Sequence, residues 1–231
     1  MSRTKQNLDR VRDYYTTQRA VGQETASIYA IWESGGAFND SVTPSTYVPE
    51  YRSHMVRRLM SLTGDGSSIF SLGCGNAAVE GVLAGLDRKV RGIDCNEEAV
   101  QLARKKGVDA FTADYFTLLP EDVADADAVY ADGFLGHLFD PEEHIAPALD
   151  KLADLRLKSG TRLVFSNDAP PDPRVGFAPH ERVEDFWFIS KDYLQESLVS
   201  HGFTPVESYY FSYRRPLSGE RNRTICIAHV P

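Results

Sequence analysis

Apolar residues recur along this chain with two different periods. Leu8, Val11 and Tyr15 lie three and four apart, the spacing of one helix face, and Ile28, Ile31 and Trp32 predict a second, shorter helix. Residues 34–49, rich in Gly, Ser, Thr, Asn and Pro, predict a loop. Met55, Val56, Leu59 and Met60 make 51–62 helical again, so the region 4–62 is mostly helical with a break. From Gly64 the rhythm changes. Ile69, Phe70 and Leu72 form a short apolar run that stops at Gly73-Cys74-Gly75, and 77–86 predicts a helix. Strands are predicted over 90–93, 108–112, 126–131 and 161–166, and helices over 97–106 and 141–157. This alternation requires a parallel sheet covered by helices on both faces. The last quarter differs: a helix over 190–201 ends at Gly202, and strands over 206–213 and 224–230 follow with no helix between them. Pro216, Ser218 and Gly219 in their connection predict an antiparallel hairpin with a long loop.

Composition narrows the class. With 231 residues, 42% hydrophobic and 25% charged, the chain is long enough for one large core with a small lobe. We read residues 1–62 as an N-terminal helical lid and 63–231 as the core. A net charge of −8 argues against duplex nucleic acid as a partner. The three cysteines, Cys74, Cys95 and Cys226, form no CxxC pair, and no metal-ligand spacing is visible, so no metal is expected. No apolar run approaches the roughly 20 residues of a membrane span. These features predict a cytoplasmic, soluble protein without membrane or nucleic-acid partners.

The glycine turn between a strand and a helix lets the backbone approach a ligand closely and offers it free N–H groups. Alone it is equally a tight turn with no ligand. Asp94 ends the next strand 21 residues after Gly73, a distance at which a carboxylate can accept ribose hydroxyls; it could also simply cap the following helix. Asp114 follows the third strand beside Tyr115 and Phe116, where it could face an adenine ring or only water.

The series glycine turn, Asp94, Asp114 and 127–132, closed by the terminal strand pair, resembles class I S-adenosylmethionine-dependent methyltransferases. The resemblance runs over roughly 67–230 and includes Phe188-Ile189-Ser190 and Gly202-Phe203. It implies a Rossmann-like α/β three-layer sandwich, with a seven-stranded, mostly parallel sheet whose last strand is reversed. It implies S-adenosylmethionine as cofactor, held by Ser71, Gly73, Cys74, Gly75, Asp94, Cys95, Asp114, Tyr115 and Asp132. Two positions depart from the pattern: Ser71 stands where the family has an acid, and Ala77 where it has a third glycine. The same turn also fits a dinucleotide fingerprint ending in Ala78. A nicotinamide-dependent oxidoreductase, or a non-catalytic protein that kept the fold, is therefore the alternative.

Methyl transfer needs a base only when the acceptor is protonated or weakly nucleophilic. His137 is the first candidate, with Gly133 and Gly136 leaving room beside it for substrate. A histidine bonded to backbone at a helix start is the plainer reading. Asp132 could orient an amine, the acceptor's or the cofactor's. Trp32, Tyr47 and Tyr51 from the lid, and His180 and Trp187 from the proline-rich 167–187 insertion, are candidates for a small-molecule acceptor pocket, with His180 a second candidate base. Arg214, Arg215, Arg221 and Arg223 predict a solvated face, a contact to an anionic substrate, or acids on a second subunit, which leaves a homodimer open. The expected activity is methylation of an oxygen or nitrogen of a small molecule, with natural-product tailoring suggested by analogy.

Overall fold

The computed structural model of the chain describes residues 8–21, 24–38, 40–183 and 185–231; residues 4–7 of the expected helical region lie outside it. Seven strands form one sheet: β1 (Ser68–Leu72), β2 (Lys89–Asp94), β3 (Asp109–Thr112), β4 (Ala128–Asp132), β5 (Arg162–Asp168), β6 (Thr204–Arg215) and β7 (Gly219–His229). Their order is β6-β7-β5-β4-β1-β2-β3. Strands β1 to β5 pair in parallel, and β7 runs antiparallel to both β5 and β6. This is the seven-stranded Rossmann-like sheet with a reversed last strand.

Nine helices accompany the sheet among the described residues: α1 (Leu8–Thr16), α2 (Ile28–Glu33), α3 (Pro44–Tyr47), α4 (Pro49–Leu62), α5 (Glu80–Ala84), α6 (Glu97–Lys105), α7 (Pro120–Val123), α8 (Ala146–Asp154) and α9 (Lys191–Ser200). Alternating side chains of each strand enter opposite layers. Phe70, Leu72, Val129, Ala131, Leu163 and Phe165 face α8 and α9 through Leu149, Leu152, Leu194 and Leu198. Ile69, Val90, Ala128, Tyr130 and Val164 face the other layer, where Met55 and Leu59 of α4, Leu83 of α5 and Val100 of α6 cover them. Because both faces are covered, the strands read as continuous apolar runs instead of alternating ones. Helix α4, which the sequence pattern groups with the lid, is thus part of the sheet's covering layer.

Local chemistry moves several boundaries. The helix expected from Ala77 starts at Glu80, because Ala77 sits at φ +53° and belongs to the turn. The helix expected from 141 starts at Ala146, because Asp140 takes the N–H groups of Glu142 and Glu143 and pairs by backbone with His144. The expected long hairpin loop is short: Arg215 pairs with Gly219 across a three-residue connection, and both strands extend toward it. The 34–49 loop contains α3. The 167–187 insertion carries a small hairpin, Phe177–Pro179 with Trp187–Ile189, and a second one, Arg19–Val21 with Glu24–Ala26, lies in the N-terminal region.

The N-terminal segment is tied over the carboxyl ends of the central strands. Ser27 accepts from Ala30 N–H as the cap of α2 and donates to Glu98 of α6 at 2.5 Å. Asp40 accepts from the backbone N–H groups of Leu217 and Ser218, clasping the β6–β7 turn.

Candidate functional site

A cavity of about 1220 Å³, counted to its open mouth, lies at the carboxyl ends of β1, β4 and β5. Its floor is the glycine turn. Cys74 N–H continues the β1–β2 pairing to Ile93 at 2.8 Å, and Gly73 and Gly75 then turn through φ +65° and +52°. That left-handed region favours glycine. A Cβ on Gly73 would come within 2.5 Å of the Phe134 ring. Ala77 stays in the left-handed region without the family's glycine, at a cost of about 1–2 kcal/mol.

Asp94 accepts from Gly75 N–H and Asn96 N–H, each at 2.9 Å, so it braces the turn as well as facing the cavity. Burial pushes its carboxyl up to about 6, against the lowering effect of those bonds. Cys95, Ala113 and Tyr115 continue this wall; burial pushes the Cys95 thiol up to about 12. Asp114 does not line the cavity. Its side chain caps the turn that follows, accepting from Phe116 N–H at 2.8 Å.

Ser71 lies behind the floor, and its hydroxyl donates at 2.6 Å to Glu80, a residue the sequence analysis missed. Glu80 is buried on the cavity wall, and burial pushes its carboxyl up to about 7.

The rear wall is a network of buried charge. Asp132 Oδ1 accepts from Tyr51 (3.1 Å), from Ser166 and from Nε (3.2 Å) and Nη2 of Arg223. Arg223 Nη1 reaches Asp168 at 2.9 Å, and the two residues are direct cross-strand partners on β7 and β5. Asp168 also accepts from Tyr213 (2.7 Å) and from Arg215, whose Nε donates to Tyr213 at 2.7 Å. The four charged side chains are 4–9% exposed. The paired Arg215 and Arg223 hold Asp168 well below the usual carboxylate range despite its burial. The arginine run therefore splits: Arg215 and Arg223 point inward with Tyr213, while Arg214 faces solvent. Period-two alternation along β6 was the signal for this, together with the Asp168 that ends β5.

His137 stands at the mouth, its Nε2 2.7 Å from the Tyr15 hydroxyl and its ring against Phe186. Burial lowers it to about 4, so it is neutral near neutral pH. The expected room beside it is filled by protein. A Cβ on Gly133 would meet Arg223 Nη2 at 2.8 Å, and one on Gly136 would meet Phe186 and the Trp187 carbonyl at 2.6 Å. These glycines serve close packing instead. His180 lines the cavity, but its Nδ1 accepts backbone N–H groups from Arg182 and Val183, both at 3.0 Å, which leaves the ring proton on Nε2 as a donor. Trp32 lines the cavity, next to Tyr29 and Tyr15. Tyr47 and Trp187 do not; Trp187 stacks on Phe139 with centroids 4.6 Å apart. Tyr51 is fully buried behind the wall and reaches the site through Asp132 and Ser166.

Residues 70–160 match a methyltransferase domain family. A tabtoxin biosynthesis enzyme of Pseudomonas amygdali pv. tabaci is 58% identical over 231 residues, which cover all of this chain and 92% of that protein. The chain belongs to the class I S-adenosylmethionine-dependent methyltransferases. Solved structures share the fold of this methyltransferase. The magnesium protoporphyrin IX methyltransferase of Synechocystis PCC 6803, with S-adenosylhomocysteine bound, is 19% identical at a TM-score of 0.59, covering 97% of this chain and 94% of that one. The cyclase SpnF is 17% identical at 0.66, covering 88% and 92%. S-adenosylmethionine is the cofactor, which sets the nicotinamide alternative aside. The cavity suits it: a glycine cradle, a carboxylate at the end of β2, and two buried wall atoms, Tyr130 Oη and Asp132 Oδ2, with no hydrogen-bond partner among the described residues.

Replacing Arg223 by Met would strand Asp132 and Asp168 without their shared partner. Urea unfolding at neutral pH should show a loss of about 3–5 kcal/mol. The wild type should lose this support in acid. Asp168 is depressed in the folded state, so its contribution holds above the unfolded carboxylate range and falls away as pH drops toward the folded value. An R223M loss under about 1 kcal/mol would mean the network is not what holds the wall.

Proposed function

We propose that this methyltransferase acts on an oxygen or nitrogen of a small molecule in natural-product biosynthesis, and that the N-terminal segment ahead of α4 forms a lid over the site. The observation that carries this is the enclosure of the cavity. Leu8, Val11 and Tyr15 of α1, Tyr29 and Trp32 of α2, and His180, Val183 and Phe186 of the insertion all line it. A cavity walled this way suits a molecule of drug-like size better than a polymer. The relative named for tabtoxin biosynthesis supports the natural-product setting.

The cofactor supplies an electrophilic methyl group on a sulfonium. Within this reading the glycine turn of Gly73, Cys74 and Gly75, with Ser71 behind it, holds its amino-acid end, Asp94 and Cys95 the ribose, and Tyr115 the adenine side, with Asp114 capping the turn that carries Tyr115. Positioning and exclusion of water by the lid supply much of the rate. His137, neutral and braced by Tyr15, receives a proton from the acceptor. Asp132, with Oδ1 engaged by Tyr51, Ser166 and Arg223, orients through Oδ2, which has no hydrogen-bond partner among the described residues. The cyclase SpnF shares the fold and is named for a reaction other than methyl transfer; a second reading is therefore a chain that keeps the fold and binds the cofactor without transferring its methyl group.

Incubation with methyl-labelled S-adenosylmethionine and an extract of a producing cell tests both. Label should be recovered in small molecules. Label in protein or nucleic acid would overturn the acceptor class. Cofactor binding with no label transferred by any extract would favour the second reading.

The base assignment has its own test. Because burial lowers His137, the rate should stay flat from about pH 6 to about pH 8 with respect to this group and fall only toward pH 4. His137→Gln should lower kcat by roughly 10²-fold and leave S-adenosylhomocysteine affinity within about twofold. An unchanged kcat would remove His137 from the chemistry.

A further inference from the structure

Four carboxylates line the cavity, and two of them, Asp94 and Glu80, have no cationic partner among the described residues; backbone N–H groups of Gly75 and Asn96 brace Asp94. Asp132 and Asp168 each hold an arginine. Glu80 is as deeply buried, at 4% exposure, yet no Lys, Arg or His pairs with it among the described residues. Its side-chain partner is the hydroxyl of Ser71 at 2.6 Å. A buried carboxyl with no cation beside it is costly and holds its proton more tightly, which is why burial raises Glu80 to about 7 against the lowering effect of Ser71 and the backbone N–H groups of Val79 and Glu80. The cost becomes reasonable if a cation arrives with a ligand, since Glu80 lies on the cavity wall beside the glycine turn.

Two further atoms point the same way. Tyr130 Oη and Asp132 Oδ2 are buried on the same wall and have no hydrogen-bond partner among the described residues. Asp132 lies close enough to Glu80 to help raise its carboxyl, and Glu80 close enough to Tyr130 to help raise its phenol. The three groups share one requirement, a compact cation carrying several N–H donors. A sulfonium has no N–H to give. A primary ammonium has three.

We propose that Glu80 binds the ammonium group at the amino-acid end of S-adenosylmethionine, with Ser71 orienting its carboxylate. This rests on the cofactor assignment. It explains how the chain does without an acid at position 71: the carboxylate is delivered from the first turn of α5, one hydrogen bond away. No bond is made or broken; a buried carboxylate and an ammonium pair on the cavity wall.

Calorimetric titration with two ligands tests it. S-adenosylhomocysteine carries the amino-acid end and 5′-methylthioadenosine lacks it. Glu80→Gln keeps the shape and the Ser71 contact. It should weaken S-adenosylhomocysteine binding by about tenfold or more and leave 5′-methylthioadenosine within about twofold. Adding Ser71→Asp to Glu80→Gln should restore part of the lost affinity for the first ligand only. Should Glu80→Gln fail to fold, Ser71→Ala should show a smaller loss confined to S-adenosylhomocysteine. Equal losses for both ligands would reduce Glu80 to a support of the turn and overturn the proposal. So would unchanged affinity for both, as expected if the cation belongs to the acceptor. A wild type that binds neither ligand would overturn the cofactor assignment beneath it, an outcome distinct from either.

Discussion

Four buried charges in alternation, Asp132, Arg223, Asp168 and Arg215, fix the geometry on which the rest of this protein depends. They come from the ends of β4, β5, β6 and β7, and Tyr51 ties α4 to the same cluster. The ladder carries β4 as far as Asp132, opposite Ser166 of β5, and the reversed strand adds a side-chain tie across those ends. β7 runs back along β5, which sets Arg223 opposite Asp168, and its side chain then reaches across to Asp132. Gly133 is required at the crossing, because any Cβ there would occupy the guanidinium's place.

Such a network contributes little net stability compared with an apolar wall of the same volume, since desolvation offsets most of the attraction. What it does provide is a wall that is polar but almost closed to new partners. Arg223 spends all three nitrogens on Asp132, Asp168 and Ser166. The wall therefore presents few unspent groups, and these, Asp132 Oδ2 and Tyr130 Oη, are acceptor-capable atoms. The cavity is selective through what it leaves unsatisfied. Its apolar counterpart is the N-terminal segment, where Tyr15, Tyr29 and Trp32 pack on one another and Tyr15 meets His137.

Much of this was legible in the sequence for physical reasons that are local. The strand and helix order follows from apolar runs and periodicity, and the glycine turn from two residues that must take positive φ. Asp94 was legible because it ends a strand at a fixed distance from that turn. Boundaries failed where a side chain competed with the helix, as Asp140 does, or where a residue adopted an unexpected backbone, as Ala77 does. The rear wall was missed because its partners are far apart in the chain: Asp168 and Arg223 become neighbours only through antiparallel pairing. Glycines 133 and 136 misled for a related reason. A glycine signals close approach without saying of what, and here protein fills the space. Glu80 was missed because a glutamate in the first turn of a helix is ordinarily a solvated complement to the helix dipole.

The state of the wall also bears on which acceptors the proposed reaction can serve. Asp132 is bound by four donor contacts on one oxygen, His180 is fixed with its proton on Nε2, and His137 is a weak base once buried. None of these groups can deprotonate an ordinary alcohol in advance of attack. A neutral amine needs no such help, because its lone pair attacks first and its proton leaves afterwards, when even a weak base suffices. An oxygen already acidified by a neighbouring carbonyl or ring is equally independent. The site as built therefore favours acceptors that bring their own nucleophilicity, and leaves the protein to hold them dry and in line.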